Sequence, residues 1–174
     1  MTNKILVTVF LICSTLCVAQ NSLPEWFMKT FEERNLNKKY DLVSFIEPEI
    51  LEGDFDGDSL NDIATLIVEK NSNLKGILVI NQKSNFICVI NSNSTIGLKN
   101  PQDFHDASWI TNWKIYNDDK ITEIKVKNNE IKSSKEKDVK HKSILISEEE
   151  FGIPLFKKLL FWDGKQYSWI FVNI

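Results

Sequence analysis

The chain has 174 residues with 21 basic and 24 acidic side chains, two histidines and a formal net charge of −3 at pH 7. A chain of this length forms one ordinary domain that buries an adequate core without covalent staples. Its mild acidity argues against nucleic acid as a partner, since that would call for a basic face.

Met1 to Gln20 carries Lys4 in a short n-region, an apolar run from Ile5 to Val18, and small residues ahead of a cut after Ala19. This is the pattern of a secretory signal peptide. The apolar run covers about 14 residues, short of the roughly 20 a bilayer-spanning helix needs. No other segment is apolar for long enough, so no membrane span is expected, and neither Cys13 nor Cys17 follows a lipobox. The expected organisation is a signal peptide at 1–19 and a single α+β domain at 20–174, secreted or periplasmic. Cleavage leaves only Cys88, within the apolar FICVI. No internal disulfide is then available, and this thiol reads as a small buried hydrophobe.

The next segment, Leu23 to Asn35, reads as a short helix with Ser22 as candidate N-cap and Pro24 in the first turn. Trp26, Phe27, Thr30 and Phe31 recur at helical spacing and form the face that packs on a sheet. Strand patterns follow at Leu42 to Ile46, Asp62 to Glu69, Gly76 to Asn81, Phe86 to Asn91, Ser108 to Tyr116, Ile121 to Lys127, Ser143 to Ser147, Lys158 to Trp162 and Gln166 to Val172. Short connections rich in Asn, Asp, Gly and Lys favour antiparallel hairpins. Asp163-Gly164 between alternating runs predicts a type I′ turn, and NQKSNFICVI predicts a tight hairpin of two central strands. The lysine-rich stretch Asn128 to Lys142 lacks apolar periodicity and reads as a solvated excursion. The fold class expected is α+β, mostly antiparallel sheet with one N-terminal helix packed on it.

Between Gly53 and Ala64 the chain reads GDFDGDSLNDIA, with Asp54, Asp56, Asp58 and Asp62 at loop positions 1, 3, 5 and 9. Four like charges within nine residues repel one another, and a loop that aims them at one centre calls for a cation. Calcium suits them because it takes six to eight oxygen ligands in flexible geometry. An EF-hand would need Gly at position 6 and Glu at position 12, with helices on both sides; here Ser59 and Thr65 stand there and IATLIV leaves the loop as a strand. The stretch GDFDGDSLNDIA resembles the calcium-binding core of FG-GAP and VCBS repeats, whose usual form is GD(F/L)(N/D)GDGxxD before an apolar strand. By that resemblance Asp54, Asp56, Asp58 and Asp62 supply side-chain oxygens and Leu60 its carbonyl. The family commonly has Gly where Ser59 stands, which implies a strained backbone and weakened affinity. No second DxDxD occurs, so a propeller of such repeats is excluded. An unmetallated acidic turn is the plain alternative.

Catalytic signatures are sparse. DFDGDSL also resembles the DxDG(T/V)L start of haloacid-dehalogenase phosphotransferases, which would make Asp54 a nucleophile and Asp56 a general acid with magnesium. That family starts from a buried parallel strand, whereas Glu52 and Gly53 precede the motif here. His105, near Asp103 and Asp106, and His141 are far apart and lack ligand-spaced neighbours. Phe104, Trp109, Trp113 and Tyr116, then Trp162, Tyr167, Trp169 and Phe171, read as core in preference to a sugar- or peptide-binding platform. The sequence therefore suggests an exported, non-enzymatic calcium-binding domain with a mainly structural metal and room for a protein partner. A secreted inhibitor or immunity-type protein is the first alternative, and a magnesium-dependent phosphohydrolase the last.

Overall fold

The computed structural model describes residues 23–91, 95–99, 106–127, 130–151 and 153–173. The signal segment 1–19, Ser22, Asp103, Phe104 and His105 lie outside them.

One helix, α1 (Glu25–Glu33), opens the described chain, with Pro24 at its N-cap position accepting from the Phe27 and Met28 amides. Asn35 adopts a left-handed φ of 57° just past its end, a conformation Asn tolerates. Among the described residues twelve strands follow: β1 (Tyr40–Leu42), β2 (Ile50–Gly53), β3 (Asp62–Glu69), β4 (Lys75–Ile80), β5 (Ile87–Ile90), β6 (Thr95–Ile96), β7 (Asn112–Tyr116), β8 (Lys120–Lys127), β9 (Glu130–Asp138), β10 (Ser143–Glu150), β11 (Ile153–Trp162) and β12 (Tyr167–Asn173). The architecture is α+β, mostly antiparallel sheet with a single helix near the N-terminus of the described chain.

The strands form two six-stranded sheets. The first runs β1-β3-β4-β5-β6, with β2 pairing the start of β3 on the flank where β1 pairs its end; the second runs β7-β10-β11-β12-β8-β9. Period-two alternation in the central strands sorts the layers. Ile63, Ile67, Leu78, Ile80 and Val89 face Phe27 and Phe31 of α1. Ala64, Leu66, Ile77, Val79, Cys88 and Ile90 face Trp113, Ile144, Ile146, Leu160, Tyr167 and Trp169 of the second sheet. The first sheet is thus buried on both faces, which explains its nearly unbroken apolar strands. Phe27 and Phe31 each contribute roughly 1.5–3 kcal/mol by this burial.

The far face of the second sheet carries Tyr116, Ile121, Leu145, Leu159 and Val172, joined by Val139, Phe161 and Ile170. The sheet curls over this cluster. The Lys137 ammonium on β9 reaches 4.6 Å from the Phe161 ring centroid on β11, although β8 and β12 lie between those strands.

Four local expectations change. The predicted strand at 42–46 stops at Leu42; residues 45–49 bend around a cis Glu47-Pro48 peptide, and an unpredicted β2 follows. The stretch from Ser108 divides into a 3₁₀ turn at Ala107–Trp109, capped by Asp106, and β7. The lysine-rich stretch holds a nine-residue strand, β9, because a backbone ladder to β8 satisfies its backbone groups although its side chains, Ile131 included, stay almost entirely exposed. At the Asp163-Gly164 hairpin, Trp162 pairs with Tyr167 and the central residues are Gly164 and Lys165, of which only Gly164 has positive φ; the turn is not type I′.

The core assignment of the aromatics holds for Trp113, Tyr116, Tyr167 and Trp169, all buried. Trp169, Phe171 and Trp109 surround the buried Lys158, whose Nζ lies 3.9, 4.9 and 5.8 Å from their respective ring centroids. These rings serve the protein's own cation.

Candidate metal centre

The acidic loop closes the β2–β3 hairpin, with Gly53 paired to Asp62 at its base. Phe55 is the loop's inward anchor, buried in the cluster between the sheets. With that ring tied down, the alternate residues Asp54, Asp56 and Asp58 sit half-buried at the surface. One oxygen from each lies within 4.8 Å of the others, a group that could hold a metal ion. Their donors are all hard carboxylate oxygens, which fit a hard divalent cation better than a soft one.

Main-chain amides organise the three carboxylates. Asp54 Oδ1 accepts from the amides of Gly57 at 2.7 Å and Asp58 at 2.9 Å, and its Oδ2 from Ser59 at 3.0 Å. Asp58 Oδ1 accepts from the Leu60 amide at 2.9 Å, and Asp56 Oδ1 from the Asp58 amide at 3.3 Å. Coiling the backbone this tightly requires left-handed residues: φ is +83° at Gly57 and +72° at Ser59. Glycine adopts this region freely, whereas serine at position 59 carries a strain on the order of 1 kcal/mol.

Asp62 behaves differently from the other three. It is fully buried; its Oδ2 accepts from the amides of Phe55 at 2.8 Å and Asp56 at 3.3 Å, and its Oδ1 from the Gln82 amide at 2.9 Å. The side chain thus ties both ends of the loop to the β4–β5 turn, outside the group formed by the other three. Burial, with the charge of Asp56 adding to it, pushes the Asp62 carboxyl up to about 6, while the three amide bonds pull the other way. Leu60 is exposed at the loop surface.

Three contributors were not legible in the sequence. β2 has only four residues, too few for alternation to stand out. Asn81 at the end of β4 donates Nδ2 to Asp56 Oδ2 at 2.7 Å across 25 residues of sequence. His141, isolated in the chain, lies against Gly57: a Cβ built there would fall 2.2 Å from its Cε1. No local spacing signals either of these distant contacts. Cys88 is fully buried, and its thiol is pushed far above the ordinary range by burial, as expected for a packing residue.

Among the described residues, no helix is long and apolar enough to cross a membrane. Comparison of the chain with family models, curated proteins and solved structures returned no match in any of the three.

Proposed function

We propose that this protein is an exported, non-enzymatic calcium-binding domain whose metal is mainly structural, held by Asp54, Asp56 and Asp58, with Leu60 and Asp62 completing the loop as in the FG-GAP and VCBS pattern. The observation that carries the reading is the convergence of three carboxylates within 4.8 Å on a loop whose amides already orient them. Such a cluster costs repulsion when empty and gains most from a divalent cation. Calcium is favoured over magnesium because an irregular loop of mixed carboxylate and carbonyl oxygens tolerates a flexible shell better than a strict octahedron. The loop closes a hairpin within the first sheet, so the metal's expected effect is to hold the β2–β3 entrance in place. Calorimetric titration of calcium into the full chain tests this: the wild type gains thermal stability and Asp56→Ala loses that gain. Superimposable melting curves in calcium and in chelator remove the proposal.

One observation favours the inhibitor or immunity-type reading as second choice. Phe151, at the tip of the β10–β11 hairpin, is 97% exposed and has a left-handed φ of 52°. An aromatic side chain in that conformation and fully in water suits an anchor for a partner's pocket. Stoichiometric binding to an enzyme or toxin, with loss of that target's activity, would establish it. The phosphohydrolase reading is disfavoured by context: Asp54 follows a short antiparallel strand, and among the described residues every pairing between named strands is antiparallel.

A further inference from the structure

Asp56 is held by more than its own loop. Its Oδ2 accepts from Asn81 Nδ2 at 2.7 Å, and Asn81 Oδ1 accepts from the Tyr167 hydroxyl, also at 2.7 Å. The direction of this relay follows from chemistry: a carboxylate needs a donor, so the amide turns its NH₂ to Asp56 and its carbonyl to the phenol. Asn81 and Tyr167 are both sealed from solvent. Burial keeps the Tyr167 phenol well above its ordinary pKa, so it remains a donor.

Tyr167 is also a junction. Its amide donates to the Gly97 carbonyl at 3.0 Å and its carbonyl accepts from the Lys99 amide at 2.9 Å, forming the bridge that fastens the segment after β6 to β12. The Lys99 ammonium then pairs with Asp163 at 3.1 Å in the β11–β12 turn. Three consecutive hydrogen-bonding groups therefore run from the acidic loop, through the end of β4 in the first sheet, to the first residue of β12 in the second.

We propose that Asn81 and Tyr167 are positioning residues for Asp56, and that cation occupancy of the loop is coupled through them to the seam joining the two sheets. This rests on the metal reading given above. Without Asn81, the Asp56 carboxylate would be repelled by Asp54 and Asp58 and would turn toward water. With it, the side chain is held in the rotamer that keeps all three carboxylates together before a cation arrives. Partners of ligating groups typically set 10- to 100-fold in metal affinity. Binding that selects this Asp56 rotamer also selects the Asn81 and Tyr167 bonds made with it, and linkage requires the converse: an intact seam favours the occupied loop.

The test combines calcium titration calorimetry with amide hydrogen exchange on the full chain, in calcium chloride and in chelator. In the wild type, calcium is expected to slow exchange at the loop amides and at those of Lys99 and Tyr167 together. Asn81→Ala is expected to bind calcium about 10- to 100-fold more weakly. At saturating calcium its loop amides should still slow while those of Lys99 and Tyr167 do not respond. Tyr167→Phe removes one oxygen and keeps the ring, so it decides the matter if Asn81→Ala does not fold; its affinity should fall severalfold with the same loss of response at the seam. Loop protection without seam protection in the wild type, or variants that bind like the wild type, overturn the inference while leaving the metal reading intact. Loop amides in the wild type that ignore calcium overturn the metal reading and this inference with it.

Discussion

The His141 imidazole lies over Gly57, filling the space where any other residue would place its Cβ, 2.2 Å from Cε1 and 2.4 Å from Nδ1. Gly57 is therefore required twice, for its φ of +83° and for the ring above it. Gly57→Ala should destabilise the protein by about 2 kcal/mol or more, combining the left-handed penalty with a clash. In Gly57→Ala/His141→Ala the clash is relieved and the backbone penalty stays, so urea unfolding should place the double variant between the wild type and Gly57→Ala. A double variant no more stable than Gly57→Ala would show that the ring is not what excludes a side chain.

Asp62 and Asp58 should separate by substitution. Asp62 accepts from three amides in a buried setting, and Asp62→Ala would leave buried N–H groups unsatisfied at about 1–3 kcal/mol each. Asp62→Ala should thus lower the thermal midpoint strongly in chelator as well as in calcium. Asp58→Ala should leave the chelator midpoint close to that of the wild type and remove only the calcium-dependent gain. Differential scanning calorimetry of both variants in both conditions checks the contrast.

The pH dependence of the metal-free protein follows from the same carboxyl. Asp62 is raised from 3.8 to about 6, first by burial and then by the neighbouring Asp56 charge. A carboxyl raised on folding is held more favourably in its neutral form. Its contribution to stability is therefore fully present below about 3.8 and is lost as pH rises through about 6. The stability of the metal-free wild type relative to Asp62→Asn should decline between pH 4 and 6.5, measured by chemical denaturation. A flat difference over that interval would mean that Asp62 titrates normally.

Of the five non-glycine residues with left-handed backbone among the described residues, three are asparagine, which tolerates the region, and two are not. Ser59 has φ +72° and Phe151 has φ +52°, and both are exposed. Ser59→Gly and Phe151→Asn should each stabilise the metal-free protein by about 0.5–1 kcal/mol, because the strain is relieved and no packing is lost. Ser59→Gly should also tighten calcium binding in titration calorimetry, whereas Phe151→Asn should leave it unchanged.

The buried Lys158 tests the aromatic enclosure. Its ammonium lies 3.9 Å from the Trp169 centroid, with Phe171 and Trp109 also around it. Lys158→Met keeps the volume and removes the charge, so it should cost about 2 kcal/mol, the worth of a desolvated cation–π contact. Lys158→Glu would set a carboxylate against the negative faces of the rings and should be among the most destabilising single substitutions. Thermal unfolding of the two variants reads the difference directly.

Much of the fold was written locally. The helix face of Phe27, Thr30 and Phe31, the strand at Asp62–Glu69, and the pairing of β4 with β5 and β11 with β12 all follow from periodicity and turn residues a few positions apart. The spacing of Asp54, Asp56 and Asp58 likewise determined that their carboxylates could meet, because a coiled loop brings alternate residues to one side. Tertiary structure decided what no local pattern encodes. β9 is a strand because β8 offers a ladder, and its solvent-facing side chains leave no periodic trace. Asp62 turned from the other three aspartates toward the amides of Phe55, Asp56 and Gln82, because burial makes those bonds worth more than solvent. Asn81, His141 and Tyr167 reach the loop only once two sheets are stacked. Contacts across 25 to 86 residues depend on how layers pack, and packing is a property of the whole chain.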